Sequence, residues 1–154
     1  TGTGNTEQLT QRALKALEEA NLIVGYTKYL KDIESVIEGK ETYSTGMTHE
    51  VDRCKYAIQQ VLENKSVALI SNGDANIYGM AGLVLEIIED NNLWDKINVV
   101  IEPGITSFVA AASKAGAAIM NDFAVKAAGN AEAPLPLVLP GEGNDVVLEF
   151  SGRF

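Results

Sequence analysis

The sequence is poor in the residues that metal and nucleophile chemistry most often need. Cys54 is its one cysteine in 154 residues, so no internal disulfide can form, which fits a reducing compartment. His49 is its one histidine. One His and one Cys cannot furnish an ordinary structural zinc site, and every histidine-dependent triad would have to use His49. That residue sits in Gly46-Met47-Thr48-His49-Glu50, at an expected helix start, where a solvated first-turn side chain is the simpler reading. Cations are scarce too: 12 Lys and Arg face 21 Asp and Glu, a formal net charge of −9. Such a surface repels phosphate backbones and excludes general nucleic-acid binding. No apolar run approaches the roughly 18 residues that span a bilayer, so no membrane partner is expected. A lysine phosphate loop, a serine elbow and clustered metal ligands are all missing. No secretory leader is visible, and the opening Thr1 implies a start further upstream.

What is present suffices for a core. Apolar residues make up 46% of the chain, normal for one globular domain. Short apolar runs alternate with longer amphipathic ones, the order expected of an α/β domain. Residues 22–26, 67–71 and 97–101 read as strands, the second as one covered on both faces because it lacks polar alternation. Residues 9–20 predict a helix with Ala13, Leu14 and Leu17 on one stripe, and residues 48–64 one with Val51, Cys54, Ile58, Val61 and Leu62 inward. Cys54 thereby reads as a small core residue, not a nucleophile. Two more helices are expected, at 76–92 with Met80, Val84, Ile87 and Ile88 inward, and at 107–115. Four helices between strands predict an α/β fold with an open, mainly parallel, doubly wound sheet. From Lys126 the proline- and glycine-rich chain reads as turns, with residues 146–150 a candidate last strand.

In open parallel sheets ligands bind beyond the carboxyl ends of the strands, where helix N-termini present unpaired N–H groups. Three segments fall there. Gly2-Thr3-Gly4-Asn5 lets the backbone bend sharply or lets a ligand approach. A plain turn is the simpler reading, since the six-position dinucleotide fingerprint is not met. Ser71-Asn72-Gly73-Asp74-Ala75-Asn76-Ile77-Tyr78-Gly79 carries an acid that disfavours phosphate and suits a cationic or hydroxyl-bearing ligand. Its bland reading makes Asp74 or Asn76 a helix N-cap. Glu102-Pro103-Gly104-Ile105-Thr106-Ser107 offers Thr106 or Ser107 as a cap in the same way. The residues alone predict a small-molecule crevice on an acidic α/β domain.

In this order the three segments resemble the signatures of the tetrapyrrole methylases. Gly2-Thr3-Gly4 with Leu9-Thr10 resembles the opening glycine loop, Gly73-Asp74 with Tyr78-Gly79-Met80 the second signature, and Pro103-Gly104-Ile105-Thr106-Ser107 the third. Val24-Gly25-Tyr26, Ser44-Thr45-Gly46-Met47-Thr48 and Met120-Asn121-Asp122-Phe123-Ala124-Val125 are similar to stretches of the subfamily that methylates precorrin-3B at ring carbon seventeen. The resemblance covers residues 1–125, read as one α/β domain, and leaves 126–154 as an unmatched tail.

The resemblance implies a cobalamin-pathway methyltransferase that holds S-adenosylmethionine, or S-adenosylhomocysteine as product, in a cleft between two α/β domains. By position, Asn72, Gly73, Asp74 and Ile77 would line the methionine and ribose side, and Thr106 and Ser107 would meet the adenine or sulfonium end. Thr3 stands where the family usually has proline. Tyr78 and Gly79 would face the precorrin substrate. Methyl transfer from a sulfonium leaves most of the catalysis to positioning; no acid, base or metal is assigned. A cytoplasmic homodimer is also implied. The departures are specific. The family's strand before the first loop and its second domain have no counterpart here, so residues 146–150 are expected to take that strand's place. Asn121 replaces a frequent histidine, which removes a proton carrier. Precorrin carboxylates call for a basic patch, for which Arg12, Lys15, Arg53 and Lys55 are the candidates, although solvated helix faces use such residues equally. A non-catalytic binding or dimerising scaffold on the same fold is the alternative, and an unrelated nucleotide-binding domain a third.

Overall fold

The computed structural model describes residues 1–120. Thr1–Ser107 form one compact unit, and the described residues from Phe108 on belong to a second. No helix among the described residues is long and apolar enough to cross a membrane.

The first unit is built around strand β1 (Leu22–Tyr26), which lies between β2 (Glu41–Thr45) and β3 (Val67–Leu69), parallel to both. The register sets Val24 beside Tyr43 and Leu69. Successive side chains of a strand point to opposite faces. Ile23 therefore joins Leu17 of α1 (Gln11–Glu19), Leu30 of α2 (Thr27–Asp32), Ile33, Ile37 and Ile70 on one face. Leu22 and Val24 meet Ala57 of α3 (Glu50–Leu62) on the other. Helices on both faces of a parallel sheet make this the open, doubly wound α/β fold that the element order predicts. Gly25 has a packing reason: a Cβ there would lie 2.5 Å from Ile70 Cγ1. Helix α4 (Ala81–Asp90) packs on α3 through Ile58, Val84, Ile87 and Ile88, with Ile97 beneath them. Helix α5 (Ser107–Ala115) matches its expected range.

Both α3 and α4 end on an asparagine in the left-handed region, Asn64 at φ 66° and Asn92 at φ 52°. Lys65 N then donates to Gln60 O at 3.0 Å, and Leu93 N to Ile88 O at 3.0 Å. This six-to-one closure satisfies carbonyls that the last helical turn leaves open.

Several expectations fail for identifiable reasons. Residues 97–101 form no strand: Ile97 goes into the α3–α4 cluster and Val100 is 63% exposed. Strand propensity becomes a strand only where a ladder forms, and residues 97–101 pair with no strand among the described residues, although β3 keeps an open edge. Residues 67–69 are only half-buried, because β3 has β1 on one side only; the doubly covered strand is β1. Val51 and Leu62 face outward, and the buried stripe of α3 runs through Arg53, Cys54, Ala57, Ile58 and Gln60. Helix α4 begins at Ala81, not Asn76, because residues 75–80 form a turn with Tyr78 at φ 51°. Strand β2 escapes the sequence reading because its one apolar residue, Tyr43, sits among Glu and hydroxyl residues on an edge. Residues 121–125 and 146–150, expected as a signature and a replacement strand, lie outside the described residues.

Candidate functional site

The second loop leaves the carboxyl end of β3, and the first and third are held beside it by contacts of their own. Three loops meet there by direct hydrogen bonds. Gly2 and Gly73 form an isolated antiparallel bridge, with Gly2 N donating to Gly73 O at 3.2 Å and Gly73 N donating back to Gly2 O. Both glycines are left-handed, at φ 61° and 63°, a region side chains rarely enter. A Cβ on Gly2 would also lie 2.8 Å from Gln8 O. Thr1 Oγ1 extends the contact by donating to Ser71 O at 2.9 Å.

The second loop is clasped to the third by one carboxylate. Asp74 is only 9% exposed. Its Oδ2 accepts from Gly104 N at 2.9 Å and its Oδ1 from Asn76 N at 2.8 Å. The Gly104 N–H first, and then that of Asn76, hold the carboxyl below its ordinary pKa by stabilising the charged form. Asp74 thus caps no helix: it closes a turn and ties two loops. Gly104 permits the approach, since a Cβ there would fall 2.1 Å from Gly73 O. Ser71 supports the same loop, its Oγ accepting from Met80 N at 3.0 Å.

Thr106 closes the group. It precedes α5 and is 7% exposed, yet its hydroxyl oxygen has no partner among the described residues. The cap expected of Thr106 is therefore not formed. Burying a hydroxyl without a partner costs free energy, so an unfilled donor and acceptor beside a loop junction marks a place for a polar ligand. A Cβ on Gly73 would be 3.4 Å from Thr106 Cα, which sets the two loops in contact.

The remaining expected residues are distributed around this junction. Thr3 is half-buried and its hydroxyl donates to Gln8 Oε1 within its own loop. Asn72 and Gly79 are half-buried, while Ile77, Tyr78 and Ser107 are exposed, Ile77 by 40% and Tyr78 by 70%. The structure therefore brings Gly2, Gly73, Asp74, Gly104 and Thr106 together. An open groove lined by Leu30, Lys31, Thr42 and Ser44 lies elsewhere, between α2 and β2.

Three residues to which the sequence assigned no cofactor contact also shape this edge. Arg12 forms a two-pronged ion pair with Glu102, and Thr10 Oγ1, the cap of α1, reaches Pro103 O at 3.4 Å. Single-sequence reading could not pair residues 90 positions apart. The candidate basic patch shrinks accordingly: Arg12 is paired with Glu102, Lys15 with Glu19, and Arg53 is buried against Thr45, Gly46 and Glu50. His49 lies exposed at the head of α3 with Nδ1 2.9 Å from Asp52 Oδ2. Cys54 is fully buried, and burial pushes its thiol pKa up to about 11. Among the described residues no three His, Cys, Asp or Glu side chains are placed to hold a metal ion.

Comparison with known proteins joins these loops to a family. The family model for Tetrapyrrole (Corrin/Porphyrin) Methylases matches residues 1–149. A relative from Salmonella typhimurium, named "Probable cobalt-factor III C(17)-methyltransferase", is 38% identical over 157 aligned residues, 99% of this chain and 64% of that protein. The crystal structure of the methyltransferase CobJ superposes with a TM-score of 0.73 at 34% identity, over 80% of this chain and 51% of that one. Uroporphyrin-III C-methyl transferase from Thermus thermophilus, complexed with S-adenyl homocysteine, shares the fold, with a TM-score of 0.56 at 21% identity over 71% of this chain and 48% of that one. The chain thus spans about half to two thirds of the length of these proteins.

Proposed function

The chain belongs to the tetrapyrrole (corrin/porphyrin) methylases, and from that premise we propose that its three-loop edge binds S-adenosylmethionine for methyl transfer to a precorrin or cobalt-factor ring in cobalamin biosynthesis. The observation that carries the reading is the Thr106 hydroxyl, buried without a partner at the point where the glycine loops are clasped together. A ligand with hydroxyl, amine and carboxylate groups fits such a junction, because each group can find a fixed backbone or side-chain partner. The names of the relatives support the substrate class, and the Thermus structure with S-adenyl homocysteine supports the ligand.

In this reading Asn72, Gly73 and Ile77 line the methionine and ribose side, and Thr106 and Ser107 meet the opposite end. Thr3 shapes the first loop through its bond to Gln8. Asp74 holds the second and third loops at a fixed spacing, and each of its oxygens keeps a lone pair for a ligand hydroxyl. Tyr78 and Gly79 face the macrocycle. When bound, the cofactor supplies an electrophilic sulfonium methyl group. The protein's share is then orientation, since a preset geometry removes most of the entropic part of the barrier. The reading includes a homodimer in the cytoplasm, as the family resemblance implies.

Calorimetry with S-adenosylhomocysteine tests it. Micromolar affinity at one site per chain is the expected result. No heat with millimolar ligand would reject the reading and favour a scaffold that keeps the fold without the cofactor. Transfer of labelled methyl to precorrin-3B or cobalt-factor III then identifies the ring that is used.

A further inference from the structure

We propose that Arg12 is a positioning residue for the cofactor edge, its ion pair with Glu102 setting where the third loop lies. The inference rests on the cofactor reading above and adds a residue that reading leaves out.

Residues 98–103 lie in neither helix nor strand, so no ladder fixes their place. Pro103 has no N–H to anchor it. The contacts that reach this stretch come from side chains. Arg12 Nε donates to Glu102 Oε2 at 2.8 Å and Nη2 to Oε1 at 3.0 Å. A fork meeting a carboxylate fixes angle as well as distance, which a single ammonium contact does not. Thr10 reaches Pro103 O at the next residue, and Asp74 takes the Gly104 N–H at the one after.

Three consecutive residues, 102 to 104, are therefore tied to the start of α1 and to the second loop. Helix α1 follows the first loop after one 3-10 turn, Thr6–Gln8. The contacts close a ring along the chain: first loop to second through Gly2–Gly73, second to third through Asp74–Gly104, and third to the head of α1, which the first loop leads into, through Arg12–Glu102. Thr106 is two residues beyond Gly104, so a shift of the loop carries the buried hydroxyl with it. The Arg12 side chain is 75% exposed and that of Glu102 18%. An exposed ion pair adds little to global stability. Loss of the clamp should therefore appear in ligand affinity and local opening, and hardly in the melting temperature.

The test uses Arg12→Lys, Glu102→Gln and the double swap Arg12→Glu with Glu102→Arg in the full chain. Calorimetry with S-adenosylhomocysteine should show roughly three- to tenfold weaker binding for each single variant and recovery in the swap. Amide exchange at Gly104, read without ligand, should quicken in the single variants and slow again in the swap. Unchanged affinity with unchanged Gly104 exchange overturns the inference. So do losses that the swap fails to recover, because Arg12 would then touch the ligand itself. If the unaltered chain binds no S-adenosylhomocysteine, the cofactor reading fails, while Gly104 exchange still decides whether the clamp places the loop.

Discussion

Asp74 and Thr106 sit a few residues apart in space and carry opposite obligations. The carboxylate is anchored through both oxygens, each accepting one backbone N–H group. Its pKa is held below the ordinary 3.8, so its contribution to stability is present above that pH and fades as pH falls through the depressed value. Asp74→Asn should cost about 1.5–3 kcal/mol at pH 7, the worth of hydrogen bonds to a charged group. Urea unfolding measures it, and the gap between the two proteins should narrow as the pH drops below the ordinary carboxylate value. A gap that stays constant down to pH 2 would contradict the assignment. The Thr106 hydroxyl is the reverse case, enclosed but unpaired. Thr106→Val keeps the shape and removes the burial penalty, so unliganded stability should hold or rise by up to about 1–3 kcal/mol. S-adenosylhomocysteine should bind about tenfold more weakly, a change of about 1.4 kcal/mol. Lower stability with unchanged affinity would show that the hydroxyl serves the fold and not the ligand.

At the level of elements, the site depends on backbones that approach more closely than side chains allow. Gly104 faces Gly73 O at a distance that a methyl group would reduce to 2.1 Å. Neither atom is the far end of a flexible chain, so Gly104→Ala must part the loops. The expected result is loss of detectable S-adenosylhomocysteine binding with about 1–3 kcal/mol of destabilisation, in the range of overpacked cores. Wild-type affinity in that variant would mean that the loop junction is not where the ligand sits. The strands impose a different constraint. β1 buries Leu22, Ile23 and Val24 completely, and β3, from which the second loop leaves, is paired to it. Helix α1 adds a second fixed point through the Thr10 cap, whose Oγ1 accepts from Ala13 N at 3.1 Å.

For the molecule as a whole, Cys54 reports on cohesion of the first unit. It is fully enclosed on α3, and its thiol pKa is pushed to about 11, so almost no thiolate exists at pH 8. Modification by a disulfide reagent should proceed only as fast as the α3 region opens, and should accelerate in urea along the unfolding curve. Immediate reaction of the native protein would show that this interface breathes. The ligand prediction reaches the same scale, because a ligand that binds only the folded form raises the melting temperature with its concentration.

Much of this protein was determined by local chemistry. The alternation of apolar runs with amphipathic stretches specified a parallel, doubly wound sheet, because strand and helix periodicities differ and each must bury one face. Glycines 2 and 73 marked turns, and both adopt the positive φ that glycine tolerates. Cys54 could be read as core because it falls on the inward stripe of α3. The tertiary structure alone decided what those turns do. Asp74 and Asn76 looked like helix caps, yet Asp74 spends its second oxygen on Gly104, thirty residues away. Residues 97–101 have strand composition yet pair with no strand among the described residues, and β2 has poor strand composition but pairs along β1. Hydrogen bonds between distant residues leave no periodic trace in the chain. The ring of contacts joining Gly2, Gly73, Asp74, Gly104, Glu102 and Arg12 exists only once folding has set the three loops side by side.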